Sequence, residues 1–258
     1  MSNAESTSGS PELSINGAVA TIRLRRPEMA NRLGPDDLRT LAAHIETVNA
    51  TPQVLVLRFV SDGKYFCSGY DISSLSDKDQ PGSLFFGETV DLVEQARPVT
   101  IAVIQGGVYG GGTDLSLACD FRIGGKSANM FMPATRLGLH FYPGGMVRYI
   151  TRLGLDNAKR LFLLAEKIQS EQMLAMGFLT ECVDDSALQG RVDELTEALA
   201  AMAPIALLGV KKHLNLIARG QVLADEINAN VIHSESSSDI QEGVLAWKEK
   251  RAPRFRGE

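Results

Sequence analysis

The sequence predicts an α/β chain in which strands alternate with helices to about residue 185, followed by a nearly all-helical remainder. Three observations predict it. Apolar, β-branched runs such as "VTIAVIQG" (99–106) return between segments of helical spacing. Glycine turns stand at two strand-to-helix junctions, in "CSGYDI" (67–72) and "GGVYGGGTDLSLACD" (106–120). After residue 190 the spacing is helical to Trp247, with an interruption near Pro204.

The elements follow in order. "LSINGAVATIRL" alternates around Asn16-Gly17 and reads as a hairpin. "PDDLRTLAAHIETVNA", from Pro35, carries acids in its first turn and apolar residues at helical spacing. Residues 53–60, "QVLVLRFV", read as a strand, and "DGKYFCSGYDISSL" as a loop leading into a short helix. "QPGS" breaks the chain before a helix around 88–95. Residues 99–106 form a buried strand, "TDLSLAC" a helix, and "FRIGG" a further short strand. "GGMVRYITRLG", "DNAKRLFLLAEKI" and "SEQMLAMGF" read as helices, the last capped by Ser170. Residues 1–12 are expected to be disordered.

Composition narrows the function. The 258 residues are 44% hydrophobic and 22% charged, ordinary for a globular protein. A net charge of −5 argues against a general partner in nucleic acid or in an anionic membrane. No apolar run approaches the roughly 18 residues of a spanning helix. The first residues lack a basic segment followed by an apolar one. Cys67, Cys119 and Cys182 are odd in number and sit in apolar or glycine-rich settings, so the expectation is free thiols and a cytoplasmic setting. The four histidines are scattered, no H-E-x-x-H or C-x-x-C occurs, and no metal site is expected. No G-x-S-x-G of a serine hydrolase occurs either.

Five glycines in residues 106–112 precede one carboxylate, Asp114. They fit neither a P-loop, which would need glycine at Asp120, nor the G-x-G-x-x-G of dinucleotide sites. A strand, a glycine turn and a helix nevertheless point free N–H groups and the positive end of a helix dipole at one place. That site suits a developing oxyanion as well as a phosphate. The turn at 67–72 lies about one strand-helix unit earlier and could aim a second N–H into the same cavity. Plain chain reversal would also account for both turns.

Four segments together resemble one family. "KYFCSGYDISSL" is similar to (K/R)-x-F-(C/S/A)-x-G-x-D-(I/L). "VIQGGVYGGGTDLSLACDFRI" resembles A-x-x-G-x-x-x-G-G-G-x-(E/D)-L-x-L-x-C-D-x-R-(I/A). "PATRLGLHFYPGGMVRYITRLG" and the ending "EGVLAWKEKRAPRFRGE" resemble two further motifs of the same family, in the same order. On these segments, from about Ile15 to Gly257, the chain resembles the crotonase, or enoyl-CoA hydratase/isomerase, superfamily.

The resemblance implies a crotonase-like ββα spiral over residues 13–200 and a helical oligomerisation segment over 201–258, giving a homotrimer or a hexamer built as a dimer of trimers. It implies an acyl-CoA thioester substrate, with coenzyme A as part of the substrate and no covalently bound cofactor. It assigns the oxyanion hole to the N–H groups of Tyr70 and Gly111, with Ser68, Asp71, Ile72, Gly110 and Ala134 around the substrate. It implies that Lys248 and Lys250 approach the cofactor of a neighbouring subunit. Hydratases of the family use two glutamates; here the first position is Asp114 and the second is Ala134, which cannot transfer protons.

Simple hydration is therefore disfavoured, and the leading expectation is a lyase or isomerase acting through a thioester enolate, by isomerisation or another non-hydratase reaction. Asp114 would be its proton carrier, although an acid in the first turn of a helix is also stabilising by itself. Dienoyl-CoA isomerases of the family share an aspartate at that position but carry further carboxylates that this chain lacks. Tyr142 and His140, in the loop "GLHFYPGG", are the other catalytic candidates; otherwise they and Phe141 only shape the acyl pocket. Acyl specificity is expected from residues 73–92, including Phe85 and Phe86. Arg25, Arg26 and Lys64 could meet coenzyme A phosphates or be plain surface charge. Two alternatives remain open: hydrolysis or decarboxylation through the 140–142 loop, and acyl-CoA binding without catalysis.

Overall fold

A computed structural model of the chain describes residues 9–72 and 82–258. The N-terminal hairpin pairs β1 (Gly9–Asn16) with β2 (Val19–Arg25) antiparallel, turning through Gly17 and Ala18. Residues 9–12, expected to be disordered, are thus strand: Gly9 faces Arg25, Glu12 faces Arg23, and the Arg25 guanidinium donates to the Ser10 carbonyl. Pro11 fits because β1 is the edge of its sheet, where a missing N–H costs no ladder bond.

The helix expected from Pro35 is α1 (Pro35–Asn49). Leu38, Leu41, Ile45 and Val48 fall on one stripe and are buried. Each such burial contributes about 1.5–3 kcal/mol relative to exposure. Beyond it the chain winds in repeating units of two strands and a helix. The first unit is β3 (Val56–Ser61), β4 (Tyr65–Cys67) and α2 (Ser83–Glu94). The second is β5 (Val99–Ile104), β6 (Gly107–Tyr109) and α3 (Gly111–Ala118). The third is β7 (Phe121–Gly125), β8 (Asn129–Phe131) and α4 (Pro143–Leu153). Each unit gives one strand to each of two sheets. The six-stranded sheet runs β1-β2-β3-β5-β7 and ends on β10 (Glu181–Val183); the four-stranded sheet runs β4-β6-β8 and ends on β9 (Lys167–Gln169). Within both sheets the strands taken from these units pair in parallel. The ββα spiral expected from the resemblance is the fold observed.

Two short helices, α5 (Leu155–Leu164) and α6 (Ser170–Ala175), complete the core's far side. The long helical stretch then divides as the sequence predicts: α7 (Leu188–Ala200) stops before Pro204, which starts α8 (Pro204–Ala218) at a position where its missing N–H is harmless. The chain ends with α9 (Ala224–Ser236) and α10 (Ser238–Glu249), the latter capped by the Ser237 hydroxyl. Among the described residues, no helix is long and apolar enough to cross a membrane.

The three cysteines are free. Burial pushes the Cys67 and Cys119 thiols up to about 12, whereas Cys182 is half-buried. Thiolate, not thiol, is the nucleophile. A maleimide added to the folded protein at neutral pH will therefore label Cys182 and spare Cys67 and Cys119. Denaturation will expose all three, as peptide mass spectrometry can read.

Candidate active site

The two glycine turns belong to successive units of the spiral, and their strands β4 and β6 lie side by side. Gly69 takes a left-handed φ of +89°, which places it against the start of α3. A β-carbon on Gly69 would lie 2.4 Å from the Gly111 nitrogen, a contact that only glycine avoids. Tyr70, bonded to Gly69, therefore belongs to a turn that packs against the start of α3. Tyr70 is held by a strand-like pairing with Leu33: the Leu33 N–H donates to the Gly69 carbonyl and the Asp71 N–H to the Leu33 carbonyl, both at 2.9 Å. The Gly111 N–H opens α3, where the helix supplies no acceptor.

Both turns border one cavity of about 280 Å³. Eight of the ten residues expected at the site line it: Tyr70, Gly111, Ser68, Ile72, Gly110, Ala134, His140 and Tyr142. Phe86, also expected, lines it with Met132, Leu139 and Phe141, so the wall is mostly apolar. Phe85 does not line it and lies near the Arg39 guanidinium. Of the expected specificity segment, residues 73–81 lie outside the described residues. Asp71 and Asp114 do not line the cavity. Arg25, Arg26 and Lys64 are also elsewhere: Arg25 meets Ser10 and Glu12, Arg26 pairs with Asp37, and Lys64 lies over Tyr65.

Asp114 stands behind the wall with no exposed surface. Its Oδ2 accepts from the Tyr142 hydroxyl at 2.6 Å. Arg148 grips both of its oxygens, Nε to Oδ1 at 2.9 Å and Nη2 to Oδ2 at 2.6 Å. The same guanidinium reaches Asp91 and, at 3.3 Å, Glu94, and Arg219, the residue just after α8, closes on both of those acids. Burial works against the Arg148 charge, but Asp114, Asp91 and Glu94 outweigh it and hold its pKa above the usual guanidinium value. Tyr142 responds in kind: burial, then the Asp114 charge, push its hydroxyl well above the ordinary phenol range.

Tyr142 sits immediately before α4, which begins at Pro143, and its ring stacks on Phe141 at 4.3 Å. Gly87 makes room for it, since a β-carbon there would meet the Tyr142 ring at 2.6 Å. Ala134 is 7% exposed and offers only a methyl group. His140 is exposed, with Nδ1 2.8 Å from the Phe141 carbonyl oxygen. A carbonyl only accepts, so Nδ1 is assigned the proton and Nε2 of the neutral ring the lone pair.

Sequence reasoning missed Arg148 and Arg32. Arg148 stands 34 positions from Asp114, and only the closure of the spiral brings α3 and α4 together. Arg32 lines the cavity from a turn that carries no motif of its own. Among the described residues, no cluster of three or more histidine, cysteine or acidic side chains could hold a metal.

The family model for enoyl-CoA hydratase/isomerase matches residues 14–258. The chain is 28% identical to the short-chain-enoyl-CoA hydratase of Clostridium acetobutylicum, over 93% of this chain and 94% of that one. It is 30% identical to the mitochondrial enoyl-CoA hydratase domain-containing protein 2 of mouse, over 97% and 90% of the two chains. The crystal structure of an enoyl-CoA hydratase/carnithine racemase from Magnetospirillum magneticum superimposes with a TM-score of 0.91 at 24% identity, covering 98% of this chain and 97% of that one. With the motifs, the spiral and a match across nearly its whole length in agreement, this chain belongs to the enoyl-CoA hydratase/isomerase family.

Proposed function

We propose that the cavity binds an acyl-CoA thioester with its carbonyl oxygen between the N–H groups of Tyr70 and Gly111, and that the protein is an enolate-forming isomerase. The observation that supports this reading is the close approach of Gly69 to the Gly111 nitrogen, with Tyr70 and Gly111 both lining one mostly apolar cavity. Two donors and the α3 dipole favour charge on that oxygen most when it becomes an enolate. Losing one such donor typically costs about 10²–10³ in rate.

Hydration by paired carboxylates is disfavoured. Ala134 replaces one acid, and Asp114 is spent on Arg148 and Tyr142 rather than presented to the cavity. Among the described residues no carboxylate lines the cavity. Tyr142 keeps its proton, because deprotonation beside Asp114 in a buried place is unfavourable. That leaves Nε2 of His140 as the base that takes a proton from one carbon of the acyl chain and returns it to another. Asp114 then serves as a positioning residue: with Arg148 it fixes the Tyr142 ring against Phe86 and Phe141.

Self-association is part of the same proposal. Val210, Leu214 and Ile217 of α8, Val231 and Ile232 of α9, and Val244, Leu245 and Trp247 of α10 are exposed, the last at 86%. So broad an apolar surface fits a homotrimer, alone or doubled, assembled through residues 201–258. Lys248 lies beside an apolar groove on α10, where a neighbouring copy would meet it.

The decisive measurement is exchange of acyl α-protons with deuterated water, followed by NMR. The wild type is expected to exchange them; binding without exchange would make the protein a non-catalytic acyl-CoA binder. His140→Gln is expected to slow exchange by about 10²-fold or more while thioester affinity stays unchanged. Crotonyl-CoA is expected to keep its enoyl absorbance; bleaching would mean hydration. Asp114→Asn is expected to lower stability in urea by about 3 kcal/mol, because Arg148 loses its innermost partner but keeps Asp91 and Glu94. If Asp114→Asn abolishes exchange in a protein that remains fully folded, Asp114 and not His140 carries the proton.

A further inference from the structure

Among the described residues lining the cavity, one side chain carries a full charge at neutral pH, and it is Arg32. Its presentation is built. Ala30 and Asn31, directly before it, hold left-handed φ values of 51° and 52°, which side chains other than glycine adopt at a cost. Asn31 is buried and fastens this turn: its Oδ1 accepts from the Arg26 N–H at 2.8 Å, and its Nδ2 donates to the carbonyls of Asp62 and Tyr65 at 2.9 and 2.8 Å. Leu33, the next residue, is the one that pairs with Tyr70. The turn therefore delivers Arg32 beside the proposed oxyanion site.

The guanidinium is under-used there. Among the described residues its ion contact is a single Nη1–Asp71 Oδ1 approach of 3.3 Å, longer than a charge-assisted hydrogen bond of about 2.7–2.9 Å. A guanidinium has five N–H donors in a fork suited to a carboxylate. Among the described residues the rest of the wall is mostly apolar, with Ser68, Tyr70, Ser83, His140 and Tyr142 as its polar members, and none of them brings a negative charge. A ligand anion can. Because Arg32 lines the cavity of about 280 Å³ itself, an anion carried on the acyl half of a bound thioester would lie within its reach.

We propose that Arg32 selects acyl-CoA thioesters whose acyl chain ends in a carboxylate, that is, mono-thioesters of dicarboxylic acids. This rests on the thioester reading of the cavity given above. The test is calorimetric binding of pairs matched in chain length: succinyl-CoA against butyryl-CoA, glutaryl-CoA against pentanoyl-CoA, and free coenzyme A alone. For at least one pair the wild type is expected to bind the carboxylated member about tenfold or more tightly. Arg32→Gln, checked for folding by circular dichroism, is expected to erase that preference and leave the uncharged thioesters and free coenzyme A unchanged. Arg32→Lys, which keeps the charge, is expected to retain part of it. Equal or weaker binding of every carboxylated thioester overturns the proposal. So does an Arg32→Gln variant that weakens all ligands alike, since the anion would then be a coenzyme phosphate. If no thioester of either kind binds, the thioester reading itself fails.

Discussion

The candidate site depends on two stretches of main chain touching where a single methyl group would keep them apart. Gly69 follows β4 within one unit of the spiral, and Gly111 begins the helix of the next. Their contact is as close as it is because neither carries a side chain. Gly112 is in the same position, since a β-carbon there would lie 2.4 Å from the Cys67 carbonyl oxygen. Gly111 is confined from the other side, where a β-carbon would meet the Phe86 ring at 2.6 Å. Glycine costs backbone entropy on folding. Parallel pairing of β4 with β6 secures the two turns and so holds the contact in place. Chemistry that needs fixed dipoles rather than mobile side chains is served by such a frame, because nothing has to reorganise when charge develops.

A second constraint lies behind the wall. Arg148, Arg152 and Arg219 meet Asp91, Glu94 and Asp114 in one connected cluster, three cations against three acids. Taking these groups out of water is expensive, and the cluster is tolerable because nearly every member has more than one partner. It ties α2, α3 and α4 to α8, so the apolar C-terminal helices and the cavity share one ionic joint. The Asp114 side chain is consumed by this joint. In the reading proposed above, the proton carrier is therefore sought in the 140–142 loop, which does line the cavity.

How much of this was legible in the letters follows from the kind of signal each part leaves. The hairpin at Asn16-Gly17, the stripe of α1, the runs at 56–61 and 99–104 and the break at Pro204 all carry periodicity or a turn residue. The strands β4, β6, β8, β9 and β10 are three residues each, too short to show any period, and were legible neither in place nor in pairing. They exist because neighbouring turns of the spiral offer them partners. The glycine turns were legible from composition alone. The partners of Asp114 were not, since an acid at the start of a helix looks the same whether it faces a ligand or a guanidinium 34 positions away. The strain before Arg32 was equally silent, because Ala30 and Asn31 are ordinary residues in an extraordinary conformation.

The pairing of Ala134 with a sequestered Asp114 limits what one substitution can do. A glutamate placed at 134 would be a lone acid in a cavity that no other carboxylate lines among the described residues, while a glutamate at 114 would thrust a larger carboxylate into the grip of Arg148. A pair of carboxylates facing the cavity is therefore more than one exchange away, and a library of single variants at these two positions would miss it.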